Sequence, residues 1–324
     1  MMLAPRLSEM KRETRVTKTV LSKCAVAALA ASLGACVAPD GHANDRTLPP
    51  VISERTSPLE EIAPVARDGH RGTGILRKPP AGGPFPTVLM VHGGPITFQP
   101  GQLQDMVLNN ALALRFLAAG YVLAAITYRS RDQDPQSPAS LEDVLAAVDY
   151  LRRRPYVDAE SIVVFGCSGG GDLALELAAS TDVAAIVAEE PASIIFTGIF
   201  TTKFPKRGDR YTARDAEPIS KNPKSHYMPE HQKRTREKVA RIRCPILILQ
   251  GDQHWLNRFN ADVLIPELRS AGRTLEVKTF PDEPHCFAMM GRGSRGAALR
   301  AFRDADAFYR RHMRRTPRAI VAGW

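Results

Sequence analysis

From about Thr73 onward the chain repeats one rhythm, a short apolar run followed by a stretch with helical spacing. Pro86–His92 (PTVLMVH), Tyr121–Tyr128 (YVLAAITY), Ser161–Gly166 (SIVVFG), Val183–Ala188 (VAAIVA) and Pro245–Gln250 (PILILQ) are almost wholly apolar. Runs of this length, apolar on both parities, predict strands buried on both faces of a parallel sheet. Leu275–Phe280 (LEVKTF) alternates more and predicts an outer strand. Between the runs, Leu114, Leu117 and Ala118 mark one helix, and Val144, Val148 and Leu151 a second. Leu173, Leu177 and Ala178 mark a third, and Leu264 with Leu268 a fourth. The alternation predicts an α/β fold, a mostly parallel twisted sheet with helices on both faces. No internal repeat interrupts it.

One segment breaks the rhythm. Glu189 to Arg243 is largely polar and punctuated by Pro191, Pro205, Pro218, Pro223 and Pro229. So long an insertion in a compact domain is more often functional than not, and a lid over a pocket is the expectation. Lys203 to Arg243 holds 13 Lys and Arg against 5 Asp and Glu, a net of +8, while the whole chain carries +10. The positive charge is thus local to the insertion, which suits an anionic substrate as well as a solvated face. No nucleic-acid partner is expected.

The leading residues read differently. Lys11, Arg12, Arg15, Lys18 and Lys23 precede a small apolar run from Cys24 to Leu33, which ends in Leu33-Gly34-Ala35-Cys36. The run is too short for a stable bilayer span and has the layout of a secretory signal. The last four residues resemble a bacterial lipobox, making residues 1–35 a signal peptide and Cys36 the lipidated first residue of the mature protein. Residues 36–60 form a polar tether and residues 61–324 the catalytic domain. The expected location is the periplasm or cell envelope, held to a membrane by the lipid. Cys167, Cys244 and Cys286 fit neither zinc-ligand spacing nor a disulfide framework. Which of them pair in an oxidising compartment is open.

The chemistry gathers at strand ends. Gly166-Cys167-Ser168-Gly169-Gly170 stands between an apolar run and the helical GGDLALELAA. This is G-x-S-x-G where the mechanism needs it, at a strained strand-to-helix turn that lifts the hydroxyl above the sheet edge. Ser168 is the expected nucleophile, and it needs a base. His285 lies in Pro281-Asp282-Glu283-Pro284-His285, just past the LEVKTF run and back at that edge. Asp252, in Gly251-Asp252-Gln253-His254 after PILILQ, is the expected acid, with Glu189 or Glu190 as rivals after VAAIVA. Gly93 or Gly94, after the PTVLMVH run, and Gly169 are the expected oxyanion donors, each worth roughly 3 kcal/mol in a transition state. No metal or cofactor is expected.

HGGP after an early core run, GCSGG at the elbow and EPHCF near the end resemble the dienelactone hydrolase and prolyl oligopeptidase branch of the α/β-hydrolases. The resemblance covers roughly Gly69 to His312. It implies a Ser-Asp-His triad acting without metal or organic cofactor, in a single catalytic domain lacking the propeller of the large oligopeptidases. Family members usually carry the acid three residues after the glycine of the PILILQG loop, where this chain has His254; Asp252 stands only one residue after Gly251. The expected activity is carboxylic-ester hydrolysis through an acyl-enzyme. A small serine peptidase is one alternative; a non-catalytic surface lipoprotein scaffold is another.

Overall fold

The computed structural model describes residues 58–320 apart from 81, 95, 131–136, 205, 207–211 and 253. The signal peptide, Cys36 and most of the tether lie outside the described residues, as do Arg207 and Arg210 of the insertion. Eight strands form one sheet: β1 Glu60–Ile62, β2 Gly74–Arg77, β3 Phe85–Val91, β4 Val122–Ile126, β5 Val157–Cys167, β6 Ala185–Glu189, β7 Ile246–Gly251 and β8 Leu275–Phe280. Their spatial order is β1-β2-β4-β3-β5-β6-β7-β8. β1 and β2 pair antiparallel, as do β2 and β4, while every pair from β4 to β8 is parallel.

Each apolar run of the sequence is a parallel strand, for the reason its pattern implies. Val88 and Met90 of β3, Val163 and Phe165 of β5, and Leu247 and Leu249 of β7 face one core. Leu89, Val91, Ile162, Val164, Ile246 and Ile248 face the other. Alternate side chains of a strand point to opposite faces, so only strands covered twice can be apolar throughout.

On the first face lie α1 Pro100–Leu108, α2 Ala111–Ala118 and the long α11 Arg295–His312. α3 Ala139–Arg152 and α4 Gly169–Ala178 cover the second. The antiparallel β1 and β2 and helix α1 escaped the sequence pattern, because β1 and β2 are too short to show a period.

The insertion is helical rather than irregular. It contains α5 Ile199–Lys203, α6 Ala213–Lys221, α7 Pro223–His226 and α8 Pro229–Arg241. Its prolines open α7 and α8 at the first helical position, where no N–H is needed, although Pro218 lies inside α6. Ile194, Ile199, Phe200 and Ile219 of this segment form a third apolar cluster. They do so with Leu256 and Phe259 of α9 Leu256–Phe259, the helix after β7. A π-helical turn, Asn260–Leu264, joins α9 to α10 Ile265–Ser270.

The chain direction reverses its march across the sheet between β3 and β5: β4 lies on one side of β3, and β5 to β8 extend on the other. Parallel sheets open a crevice at the carboxyl ends of strands at such a point. Backbone there is unusually close. A Cβ on Gly170, in the first turn of α4, would stand 2.1 Å from the Val91 carbonyl oxygen and 2.4 Å from that of His92. Gly170→Ala is therefore expected to cost about 3 kcal/mol or more, the range of severe backbone clashes. Gly101→Ala in α1, where a Cβ meets nothing within 4 Å, is expected to be neutral or slightly stabilising. Denaturant melts of the two variants check this, and equal stability would refute the close approach.

Candidate active site

Ser168 sits between β5 and α4 with φ 50° and ψ −115°, the sharp turn expected of the elbow. Two strand ends hold it. Its N–H donates to the Glu189 carbonyl (2.9 Å), and its own carbonyl accepts from Asp172 N–H (3.0 Å) and Ala192 N–H (2.9 Å). The Asp172 side chain, buried in α4, accepts from Phe196 N–H at 2.7 Å. A non-glycine residue at positive φ persists only when its surroundings over-determine it, and these four bonds do so.

Gly93 lies against the nucleophile. A Cβ there would be 3.2 Å from Ser168 Cβ and 3.0 Å from Cys167 Sγ, and a Cβ on Gly169 would be 2.9 Å from the Gly94 oxygen. The structure thus brings together Gly93, Gly94, Gly169 and Ser168. The turn after β3 is rigid for a reason the apolar runs concealed. Tyr128, at the end of the β4 segment, shares its hydroxyl proton between the carbonyls of Gly94 (2.5 Å) and His92 (3.0 Å). The His92 ring is packed between Phe98 and Tyr128, with centroids at 3.7 and 4.4 Å. Burial holds this imidazole neutral, its pKa lowered to about 4. Its Nδ1–H donates to the Gly93 carbonyl (2.9 Å), so Nε2 accepts from the Thr127 hydroxyl (3.2 Å), which itself accepts from Phe98 N–H (2.7 Å). With three consecutive carbonyls tied back, the peptide planes of the turn are fixed. First-turn amides of α4 add donors without intrahelical partners.

His285 is where the spacing placed it, in the turn-rich loop after β8, and the thiol of its neighbour Cys286 lies near that of Cys167, the residue before Ser168. The carboxylate beside it is that of Glu190, the rival, and not that of Asp252. Glu190 Oε2 lies 3.0 Å from His285 Nδ1, whose N–H is out of line with it, so the contact is close without being a straight hydrogen bond. Catalytic hydrogen bonds are often this loose before substrate arrives. Asp252 stands elsewhere: it is exposed, and its Oδ1 accepts from Asp282 N–H at 2.8 Å. One residue past Gly251 is too early on the outgoing chain to reach the histidine.

Glu190 follows β6 directly, at φ 45°, and is fully buried. Its Oε1 accepts from Asn257 Nδ2 (2.8 Å) and Gly251 N–H (3.1 Å), and its Oε2 from Cys286 N–H (2.5 Å). Burial alone would raise its pKa, but His285, Asn257 and Cys286 N–H outweigh burial and hold it below the ordinary value. Glu189, one residue earlier, points to the other face. It accepts from Ala288 N–H (2.7 Å) and Met289 N–H (3.0 Å), and burial lifts its pKa to about 8 against those two donors.

His254 is also at the site. Its ring stacks on that of His285, centroids 3.9 Å apart and planes 18° apart, with Trp255 against it at 4.5 Å. Asn257 and His254 follow β7 by a few residues; His254 stands where the resemblance puts the acid, while nothing in the spacing of Asn257 signals a role, since that depends on how the loop turns. Cys167, Cys244 and Cys286 are free and buried. Glu190, His285 and Cys286 offer three ligand-type atoms within 4.8 Å of one another. The Cys286 thiol is a poor ligand as it stands, because burial and the Cys167 thiol push its pKa well up. Several cations of the insertion are neutralised locally: Lys203 by Asp215 (3.8 Å), Lys221 by Glu217 (2.7 Å), Arg236 by Glu267 (2.9 Å) and Lys238 by Glu176 (2.5 Å).

Comparison with known proteins points to the same fold. The BD-FAE family matches residues 74–193, and the family described as BAAT / Acyl-CoA thioester hydrolase C terminal matches residues 141–289. Acylamino-acid-releasing enzyme 1 of rice (Oryza sativa subsp. japonica) is 25% identical over 70% of this chain and 30% of its own length. Human acyl-coenzyme A thioesterase 6 is 23% identical over 76% of this chain and 59% of its own. This chain therefore spans from under a third to three fifths of those relatives. Among solved structures, brefeldin A esterase, a bacterial homologue of human hormone-sensitive lipase, superposes with TM-score 0.61 at 19% identity, covering 95% of this chain and 88% of the esterase. A protein described as a dienelactone hydrolase, from Klebsiella pneumoniae, does so with TM-score 0.53 at 16% identity, covering 78% and 98%. Sheet order, elbow and kinship agree on an α/β-hydrolase. Within that fold the chain is similar to the dienelactone hydrolase branch and to the hydrolase domains of the relatives just described.

The two glutamates differ in their response to pH. A carboxyl whose folded pKa, about 8, exceeds its ordinary 4.5 stabilises the fold fully below 4.5 and loses that contribution as pH rises to 8. Glu189→Gln is expected to flatten this part of the stability profile. Near pH 5 it also lowers stability by about 1–3 kcal/mol, because the new NH₂ faces an N–H of Ala288 or Met289, and this gap narrows as pH rises toward 8 and the wild type loses its contribution. Thermal melts between pH 5 and 8.5, read as ~0.5-unit steps, check both signs.

Proposed function

We propose that the protein is a serine hydrolase that cleaves carboxylic esters or thioesters through an acyl-enzyme, with Ser168 as nucleophile, His285 as base and Glu190 as the acid. The observation that carries the assignment is the contact of His285 Nδ1 with the buried Glu190 carboxylate, 3.0 Å away on the loop that meets the elbow. Ser168 Oγ attacks the substrate carbonyl while its proton passes to His285 Nε2. Glu190 stabilises the imidazolium and keeps Nδ1 protonated, the part an aspartate takes in other triads. The oxyanion is received by the amide of Gly93 or Gly94 together with that of Gly169. His285 then returns the proton to the leaving alcohol or thiol. Water, activated by the same imidazole, releases the acid and restores Ser168.

Kinship with an acyl-coenzyme A thioesterase and with esterases supports an acyl ester or thioester, and the net charge of the insertion supports an anionic one. The match to an acylamino-acid-releasing enzyme supports a second reading, a small peptidase on the same machinery. Comparing turnover of p-nitrophenyl acetate with that of an N-acylaminoacyl p-nitroanilide separates the two.

Three substitutions test the triad. Ser168→Ala is expected to abolish turnover by several orders of magnitude in a folded protein. Glu190→Gln is expected to lower kcat by about 10²–10⁴-fold, and Asp252→Asn by less than about threefold. Should Asp252→Asn carry the large loss and Glu190→Gln the small one, the acid is Asp252 and this assignment is wrong.

The lipobox residues support an exported, lipid-anchored enzyme facing the periplasm or cell envelope. Metabolic labelling with palmitate is expected to mark the wild type and miss Cys36→Ser. A mature N-terminus read at any other residue overturns the anchor.

A further inference from the structure

The loop after β7 contributes a ring to this site where the resemblance implies a carboxylate. His254 does not approach the edge of His285 at all. It lies on the face of that ring, 3.9 Å between centroids with an 18° tilt, and Trp255 backs it at 4.5 Å and 33°. The acid at Nδ1 is already in place from β6, so a second carboxylate at position 254 would have no edge to bind.

We propose, on the triad reading above, that His254 is a positioning residue whose neutral ring clamps the plane of His285, holding Nδ1 toward Glu190 and Nε2 toward the nucleophile. Three observations support it. His285 lies in a loop without helix or strand, so nothing in its own backbone ladder fixes the ring. Its polar anchor among the described residues, Glu190, touches Nδ1 with the N–H out of line, which leaves rotation of the ring about Cβ–Cγ to be restrained by packing. The face is covered by His254, which is itself fixed: its Nδ1 accepts from Leu256 N–H (3.3 Å) at the start of α9, and Trp255 closes its side.

The charge state suits the task. The groups facing His254 are His285, Glu190, Glu217 of α6 and Arg292 of the loop before α11. Burial and the nearby His285 and Arg292 outweigh the two glutamates, and its pKa falls to about 4. His254 therefore stays neutral when His285 takes the proton of Ser168, and a neutral ring stacked on an imidazolium is attractive where a second cation would repel. A misplacement of about 1 Å at a reacting group costs on the order of 10²-fold in rate, so a clamp on the base acts on kcat.

His254 meets the rings of His285 and Trp255 and the Leu256 amide, and two variants divide the ring contacts from the amide bond. His254→Phe keeps a ring for the stack and gives up the bond to Leu256. His254→Asn keeps an acceptor for Leu256 N–H and gives up the ring. The structure predicts that His254→Phe retains kcat within about threefold, while His254→Asn loses 10- to 100-fold in kcat with KM nearly unchanged. Melting temperatures of the two report any general loss of structure. If Asn retains kcat and Phe loses it, His254 serves only to cap α9 and the clamp is refuted; if both retain it, the stack is idle and the clamp is equally refuted. Ser168→Ala and Glu190→Gln run in the same assay separate the two levels. Their being active would remove the triad reading itself, whereas their being dead beside a fully active His254→Asn removes the clamp alone.

Discussion

The backbone amides of an irregular loop must find acceptors, and at this site carboxylates supply them. Residues 281–294 run from the end of β8 to α11 with no helix or strand, yet they carry His285, the proposed base. Asp252 accepts from Asp282 N–H, Glu190 from Cys286, Glu189 from Ala288 and Met289, and Glu283 from Ser294. Four acidic side chains take the place of a strand partner. Glu190 alone does two things at once, holding the loop by an amide and the base by its ring nitrogen. A charged group this deep is tolerable only because Oε1 meets two donors and Oε2 one, with the His285 ring nitrogen beside it.

This arrangement explains why adjacent glutamates at the end of β6 differ so much. Successive residues leave a strand on opposite faces, and here both carboxyls turn back under the same loop from either side. Glu190 has the histidine and stays ionised; Glu189 has amides alone in a dry place and tends toward the acid form.

Much of this was legible in the sequence, and the limits were physical ones. The parallel strands declared themselves because double burial leaves no polar position in PTVLMVH or PILILQ. Ser168, His285 and the glycines could be found because each occupies a strand end that the fold order assigns to it. The acid could not be settled, since Glu190 and Asp252 both follow strands that end at the same edge. Only the turn of each loop decides between them, and that depends on Asn257 and on Gly251, whose Cβ would collide with the Glu283 oxygen at 2.2 Å. Tyr128, Thr127 and His92 were hidden for another reason. Each looks like part of an apolar run, and their hydrogen bonds join segments some 35 residues apart. The insertion misled in one respect: its prolines suggested irregular chain, whereas those at 223 and 229 begin helices.

The π-helical turn at Asn260–Leu264 carries a consequence of its own. One additional residue in a turn rotates everything after it by roughly 100° about the axis. Upstream of that step, Asn257 reaches Glu190; within it, Asn260 meets Ser193 at 2.5 Å, and beyond it Glu267 meets Arg236 and Gln232 of α8. A single continuous α-helix would present those three residues on faces out of phase with their partners. Deleting one residue there would re-phase the helix and break its hold on either Glu190 or the insertion, so the two are mechanically tied through that single turn.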